Sequence, residues 1–452
     1  MLGTLPVSLL DARDVAAGLD TTPEQAEALL ADLFDAGMLT EPDPESRAGD
    51  GTYRLHDAVR DHARAQVHAH HQEQHNRILQ RWLTWQLTAA RAARQFIAPH
   101  HHLPASHPVP APRPGIPFDD RHGALEWLTT HRHGLLAAVT AAARARMDQL
   151  CVALILELTV AAPRLGDPQQ WLRAHETALA AANRSANPAQ LLAILTACGA
   201  ARRTAGRFAE ALVILRAACE RTEAAAQHNP SLTWLWGQAL HEHGATQRRT
   251  GTVYDAYAAT LTLQQALRVQ QRDPAAAHGP AARCAMARTR IELALALHRT
   301  GLPRTAAEHL TTAARELMEL REPFDAARAS AYRALMAPAT GSPAEPDLLL
   351  AQTRTVFRTL GEPVWAARCL EFRGRIAAHR AQRAATQAKD PRLQRDPRQR
   401  RHAQHLRGTA AQQWRAAARD LEQAAQDLDD LGCTDQARRL RRDATRAANS
   451  SA

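Results

Sequence analysis

The chain has 452 residues, 45% of them apolar but only 4% aromatic, and 56 Lys and Arg against 46 Asp and Glu give a formal net charge of +10. That length holds two or three structural units, and abundant Ala and Leu with few aromatics point to helices packed closely on small side chains. Lys389 is the only lysine and follows no glycine-rich loop, which excludes a P-loop ATPase signature, while six scattered cysteines without a C-x-x-C pair exclude a disulfide framework.

Those cysteines read as small buried hydrophobes of a reducing, cytoplasmic protein. The first residues, MLGTLPVSLLDARD, lack the basic start and long apolar run of a signal peptide. The most apolar segment, Leu150 to Val160, is interrupted by Glu157 and is too short to span a bilayer.

Residues 1–66 read as a first unit. Thr22-Pro23-Glu24-Gln25 predicts a helix start, with Thr22 as N-cap, Pro23 at the first position and Gln25 closing a capping box. Ala26, Leu29, Leu30, Leu33 and Phe34 form its apolar stripe, and Gly37 ends it. Strands follow at Met38-Leu39-Thr40 and Thr52-Tyr53-Arg54-Leu55, then a helix from His56 or Asp57. Helix, strand, loop, strand, helix is a winged-helix-like outline. Yet the helix from Pro23 to Ala36 has no basic residue, and residues 1–50 hold eleven acidic residues and two arginines, Arg13 and Arg47. DNA affinity rests on neutralising phosphates with Lys and Arg, so this unit reads as a packing module.

Residues 67–97 read as a connecting helix with Ile78, Leu79, Trp82, Leu83, Trp85 and Leu87 on its apolar faces. His71 and His75 are one turn apart, but no spacing supplies a third metal ligand, and the face reads as solvated. No metal site and no cofactor site is read from the sequence. Residues 98–118 are a Pro- and His-rich linker, read as an extended spacer.

Residues 119–385 read as an array of helices. Leu192 to Thr222 is the clearest part: two helices joined at Ala205-Gly206-Arg207, with Gly199 inside the first, where glycine costs about 1 kcal/mol against alanine. Such a glycine marks a close approach of another helix. Ala211 is a second small residue, and Phe208, Leu212, Leu215 and Ala218 give the second helix a single apolar stripe. This pattern resembles the tetratricopeptide repeat, departing at the first-helix tyrosine, here Arg202, and the terminal proline, here Glu223. Gly244, Gly251 and Ala256 repeat the offsets of Gly199, Gly206 and Ala211; Ala294, Gly301, Ala306, Leu310 and Ala313 repeat them again. One such pair cannot bury its own face, so neighbours must stack on it. Residues 386–407 read as a basic insertion broken by Pro391 and Pro397, within a 371–407 stretch of ten arginines and Lys389 against three acidic residues. Residues 408–452 read as a capping helix pair with a turn at Gly432.

Tyr53-Arg54-Leu55-His56-Asp57, the tryptophan-bearing helix, the linker, Trp127-Leu128 and the repeats stand in an order that resembles the C-terminal half of actinobacterial multidomain regulators. These combine an NB-ARC nucleotide-switch ATPase, of the STAND type, with tetratricopeptide repeats, and include antibiotic regulatory proteins. The resemblance implies that residues 1–66 are the winged-helix lobe of such a switch, packing against the ATPase rather than reading DNA, with Met1 falling inside the lobe past its first helix. It also brings His56 to notice, because a histidine of this lobe contacts the nucleotide phosphate in such switches. His131 and Gly134 depart from the acidic and Asn residues common there.

The expectation is therefore an all-α protein, a tetratricopeptide-like α-α superhelix with a small N-terminal winged-helix-like domain. Its function would be non-enzymatic: a regulatory scaffold binding a protein or peptide partner, an ATPase switch domain or transcription component among the candidates. Polar first-helix residues Arg202, Arg203, Gln247 and Arg248 are the expected groove, suited to a partner with carboxylates. The alternative is a DNA-associated regulator using the winged helix or residues 371–407.

Overall fold

The computed structural model describes residues 3, 5–7, 9–41, 52–70, 72–104, 114–161, 167–185, 187–272, 279–340, 346–394 and 396–451. Among these are eighteen α-helices and one three-stranded sheet. The chain divides into two compact units, Met1–Thr250 with Gln265–Ala282, and Gly251–Gln264 with Arg283–Ala452.

The first unit opens with β1 (Leu9–Leu10), α1 (Ala12–Leu19), α2 (Pro23–Asp35), β2 (Leu39–Thr40), β3 (Tyr53–Leu55) and α3 (Asp57–His70). The sheet is antiparallel in the order β1-β3-β2, with Leu9 opposite Arg54 and Leu39 opposite Leu55. The predicted capping box is formed: Gln25 N donates to Thr22 Oγ1 at 3.3 Å and Thr22 N to Gln25 Oε1 at 3.2 Å. Both β1 and α1 lie ahead of anything the sequence pattern placed. At eight residues α1 is too short to show a period, and its end is marked by Asp20 in left-handed backbone rather than by glycine. The polar loop 42–50 lies outside the described residues.

Helix α4 (Gln72–Ile97) buries the apolar residues predicted for it, and Ile78 and Trp82 join Leu10, Val15, Leu30, Leu39 and Leu55 in one core. That core continues into α5 (Arg121–Arg144), α6 (Asp148–Leu158), α7 (Pro168–Arg184) and α8 (Pro188–Thr204). The described ends of the 98–118 stretch are packed against it through Leu103, Ile116 and Phe118, and His102 stacks on Trp234 with centroids 4.0 Å apart. A free spacer is not what these ends are; residues 105–113 and His71 lie outside the described residues. Helices α9 (Phe208–His228) and α10 (Thr233–Arg249) follow, then α11 (Val253–Arg272), whose last turns pack Ala266 and Val269 on Leu240.

The second unit contains α12 (Pro280–Arg299), α13 (Pro303–Glu319), α14 (Pro323–Thr340), α15 (Pro346–Thr359), α16 (Pro363–Ala388), α17 (Pro397–Asp430) and α18 (Thr434–Ser450). Phe324, Tyr332, Phe357, Trp365 and Phe372 form a connected aromatic cluster with centroids 5.4–6.0 Å apart. The expected insertion at 386–407 is mostly helix: α16 continues to Ala388 and α17 starts at Pro397, running 34 residues. Pro397 begins that helix instead of breaking it, because proline's missing N–H is not needed at the first position and Asp396 caps the turn.

Tight turns between successive helices share one construction. Gly206, Gly301, Gly361 and Gly432 take positive φ, and the next residue's N–H reaches back five residues, as Arg207 does to Arg202 O at 2.8 Å. Arg146 and Arg321 hold the same left-handed position without glycine. Ion pairs stack the pairs of helices. Arg203 of α8 reaches Glu242 of α10 in the first unit, and Arg288 of α12 reaches Asp325 of α14 in the second. Each skips the intervening helix, so first helices of successive pairs are neighbours, the arrangement of a stacked helical repeat.

Candidate functional site

The residues expected to pack the repeats are placed as follows. A Cβ on Gly199 would meet Leu215 Cγ at 2.3 Å, so glycine there admits the leucine of the second helix. Ala211, Leu215, Ala218, Gly244, Ala256 and Ala306 are buried, Phe208 is half-buried, and Gly206, Gly251 and Gly301 are turn residues of positive φ.

The four residues expected to line a partner groove are not an open basic cluster. Arg202 Nη2 donates to Glu176 at 2.9 Å and its Nε lies 3.7 Å from Glu210, bridging α8 to both α7 and α9. Arg203 donates to Glu242, which also accepts from Gln238. Gln247 Oε1 is buried with no hydrogen-bond partner, and Arg248 makes contacts of its own. The arginines of the first helices join neighbouring helices, a use that a single repeat's sequence does not reveal.

A different surface stands out. Val253, Tyr254, Tyr257 and Leu261 fall at i, i+1, i+4 and i+8 of α11, hence on one face, and are exposed, Tyr254 by 81% and Leu261 by 67%. Thr252 caps this helix through Asp255 N at 3.0 Å. Arg299 donates to Gly251 O, which brings the exposed Leu302, three residues further on, to the same end. Two of the chain's four tyrosines are on this stripe. Sequence pattern missed it because the positions resemble an ordinary core stripe; only tertiary exposure separates the two.

A buried polar cluster lies where α1 meets α4 and α5. Asp11 caps α1, accepting from Asp14 N at 2.7 Å. Asp14 Oδ1 accepts from Trp82 Nε1 at 2.7 Å and Gln86 Nε2 at 3.0 Å. His131 Nδ1 donates to Trp127 O at 2.9 Å, and its Nε2 lies 3.3 Å from Asp11 Oδ2. Its ring also stacks on Trp127, centroids 5.0 Å apart. Burial, with the Asp11 charge beside it, pushes the Asp14 carboxyl up to about 7. Burial acts to lower His131, but the hydrogen bond to Asp11 and the Asp14 charge lift it above its usual value. Asp11 is likewise raised by burial but held below its usual value by His131. On the same helix as His131, a Cβ on Gly134 would meet Val7 Cγ1 at 3.3 Å. Asp11, Asp14, Trp82 and Gln86 carried no sequence signal beyond helix capping and core packing.

In the second unit Asp325 accepts from Arg288 and Arg328, both at 2.6 Å, with Glu322 and Glu292 at the edges. Burial would raise Asp325, but the two guanidinium groups hold it far below the usual carboxylate range. This is a structural knot between α12 and α14.

No family model matches the chain. Over 212 residues it is 30% identical to the regulatory protein AfsR of Streptomyces griseus, covering 45% of this chain. The chain is similar to a regulatory protein. It spans 21% of that relative's length. Among solved structures it is similar to a Rap protein complexed with competence and sporulation factor, at 9% identity and a TM-score of 0.42, covering 74% of this chain and 88% of that one. It is also similar to a STAND protein with a tetratricopeptide repeat sensor from Pyrococcus horikoshii, at 13% identity and a TM-score of 0.37, covering 90% and 62%. No helix among the described residues is long and apolar enough to cross a membrane.

Proposed function

We propose that this chain is a non-enzymatic regulatory scaffold, cytoplasmic, which binds a protein segment of apolar side chains flanked by carboxylates. The carrying observation is the exposed stripe of Val253, Tyr254, Tyr257 and Leu261. Large apolar side chains grouped on one exposed face mark interaction surfaces, and tyrosine is enriched in them. The formal charge of +10 favours an acidic partner through steering. Arg202 and Arg203 already answer carboxylates of their own chain, which moves the expected contact from the groove of α8 and α10 to α11. The similarity to a regulatory protein supports the regulatory half of the reading. Residues 1–66 would be the winged-helix lobe of a nucleotide switch, docking on protein rather than DNA, as the acidic α2 favours.

Selection of peptides from a displayed library against the immobilised full chain tests this. Selected sequences should combine apolar residues with Asp or Glu, and Tyr254→Ala/Tyr257→Ala should weaken them at least tenfold while Arg202→Ala leaves them unchanged. Peptides indifferent to the tyrosine changes would overturn it.

The DNA-associated alternative keeps one observation in its favour. Arg392, Arg398, Arg401 and Arg407 are exposed around the start of α17, although Arg373, Arg375 and Arg380 are engaged with Asp420, Glu371 and Asp347. Binding to random duplex at low salt, lost steeply as salt rises, is its signature; no binding at low salt removes it.

A further inference from the structure

We propose that Asp11, Asp14 and His131 bind a single Zn²⁺ ion, with the Gln86 side-chain oxygen as fourth ligand. The three side chains each turn one potential ligand atom inward, and these atoms lie within 4.8 Å of one another. Asp11 Oδ2 and His131 Nε2 are 3.3 Å apart. Two ligands of a tetrahedral zinc at about 2.0–2.2 Å stand about 3.3–3.5 Å apart, so this edge already has the required length. The remaining separations, none above 4.8 Å, must shorten to that length for all three atoms to meet one ion.

Three further observations favour a cation. His131 Nδ1 donates to Trp127 O at 2.9 Å, which leaves Nε2, turned toward Asp11, as the ring nitrogen a metal would take in place of a proton. A metal-binding histidine is held in this way, its second nitrogen fixed by a carbonyl. Among the described residues the hydrogen bonds onto Asp14 come from neutral donors, Trp82 and Gln86, so with both carboxylates ionised a single imidazole faces two negative charges. Gln86 is 1% exposed, its amide lies against Asp14, and its Oε1 has no hydrogen-bond partner. A half-turn of that amide presents the oxygen where the nitrogen now stands, 3.0 Å from Asp14 Oδ1. With Asp14 ionised, that arrangement brings two oxygens together and is favourable with a cation between them. Nitrogen and carboxylate oxygen with a four-ligand set suit zinc. The ion would tie α1 to α4 and α5 across 120 residues of sequence.

The test uses the full chain, purified without a histidine tag and stripped with a chelator. One equivalent of Zn²⁺ should bind per chain by calorimetry, the melting temperature should rise with it, and Co²⁺ should give the strong visible bands of a four-coordinate ion. His131→Gln and Asp14→Asn, each verified as folded by circular dichroism, should weaken binding about 100-fold or more. Gln86→Leu, which preserves volume, should weaken it about tenfold and stands in if either of those variants does not fold. His75→Gln, on the polar part of α4, should bind as the parent does. No stoichiometric uptake by the parent chain, or uptake unchanged in the cluster variants, overturns the site.

Discussion

Replacing Gly199 by alanine sets two effects of opposite sign against each other. Alanine in a helix interior is favoured over glycine by about 1 kcal/mol. Here the new methyl would stand 2.3 Å from Leu215 Cγ and 2.5 Å from its Cδ2. Ordinary contact begins near 3.4 Å, so about an ångström must be recovered. The near atom is the branch carbon of a fully buried leucine, not a free end, and it cannot swing aside without leaving its rotamer. Overpacking of this kind costs about 1–3 kcal/mol, and the upper part of that range applies. The net expectation is destabilisation of the first unit by about 1–2 kcal/mol. Gly408 provides the control, because nothing lies within 4 Å of a Cβ placed there in α17. Gly408→Ala should stabilise the second unit by about 0.5–1 kcal/mol. Urea unfolding followed by far-ultraviolet circular dichroism reads both. Leu215→Ala alone should cost about 2–5 kcal/mol, and combined with Gly199→Ala less than the sum of the two, since the added methyl enters the space the leucine leaves. Stabilisation by Gly199→Ala, equal to that at Gly408, would refute the close-approach argument.

Asp325→Ala leaves Arg288 and Arg328 facing each other without their shared carboxylate and should cost the second unit about 3 kcal/mol in the same assay. Because Asp325 is held below its unfolded value, its contribution is present above about pH 4 and is lost as pH falls through its folded value; Asp325→Asn should remove that arm from a plot of urea midpoint against pH. His175 has the opposite chemistry. Burial, with Arg202 nearby, lowers it below 6.5, so the unfolded chain takes up the proton first and stability of the first unit should decline as pH drops below that value. His175→Gln should flatten the decline, and an unchanged slope would discount the residue. Burial pushes the thiols of Cys151, Cys198, Cys284 and Cys369 up to about 12, so a thiolate-selective reagent should label them only on unfolding. Rapid labelling of any of the four in the folded chain would contradict that packing.

Local chemistry made much of this architecture readable from the sequence. Thr22, Pro23 and Gln25 start α2 within four residues of one another, and Gly206, Gly301 and Gly432 stop helices where only a left-handed residue can turn the chain. Gly199 pointed to a close neighbour, and the structure places Leu215 there, whereas Gly408, also inside a helix, has no such neighbour. Such signals act over one or two turns, and their meaning does not depend on what lies across the fold. The partners across the fold had no such signal. Arg202 and Arg203 looked like free donors until α7, α9 and α10 brought Glu176, Glu210 and Glu242 to them. Arg146 and Arg321 occupy left-handed turns that composition would assign to glycine. Tyr254 and Leu261 have the spacing of a core stripe and lie in the open. Asp11, Asp14, Gln86 and His131 meet only because α1, α4 and α5 pack together. Helix starts and stops are set by neighbours in sequence; charge pairing, exposure and the buried cluster are set by neighbours in space, and those follow from how the helices stack.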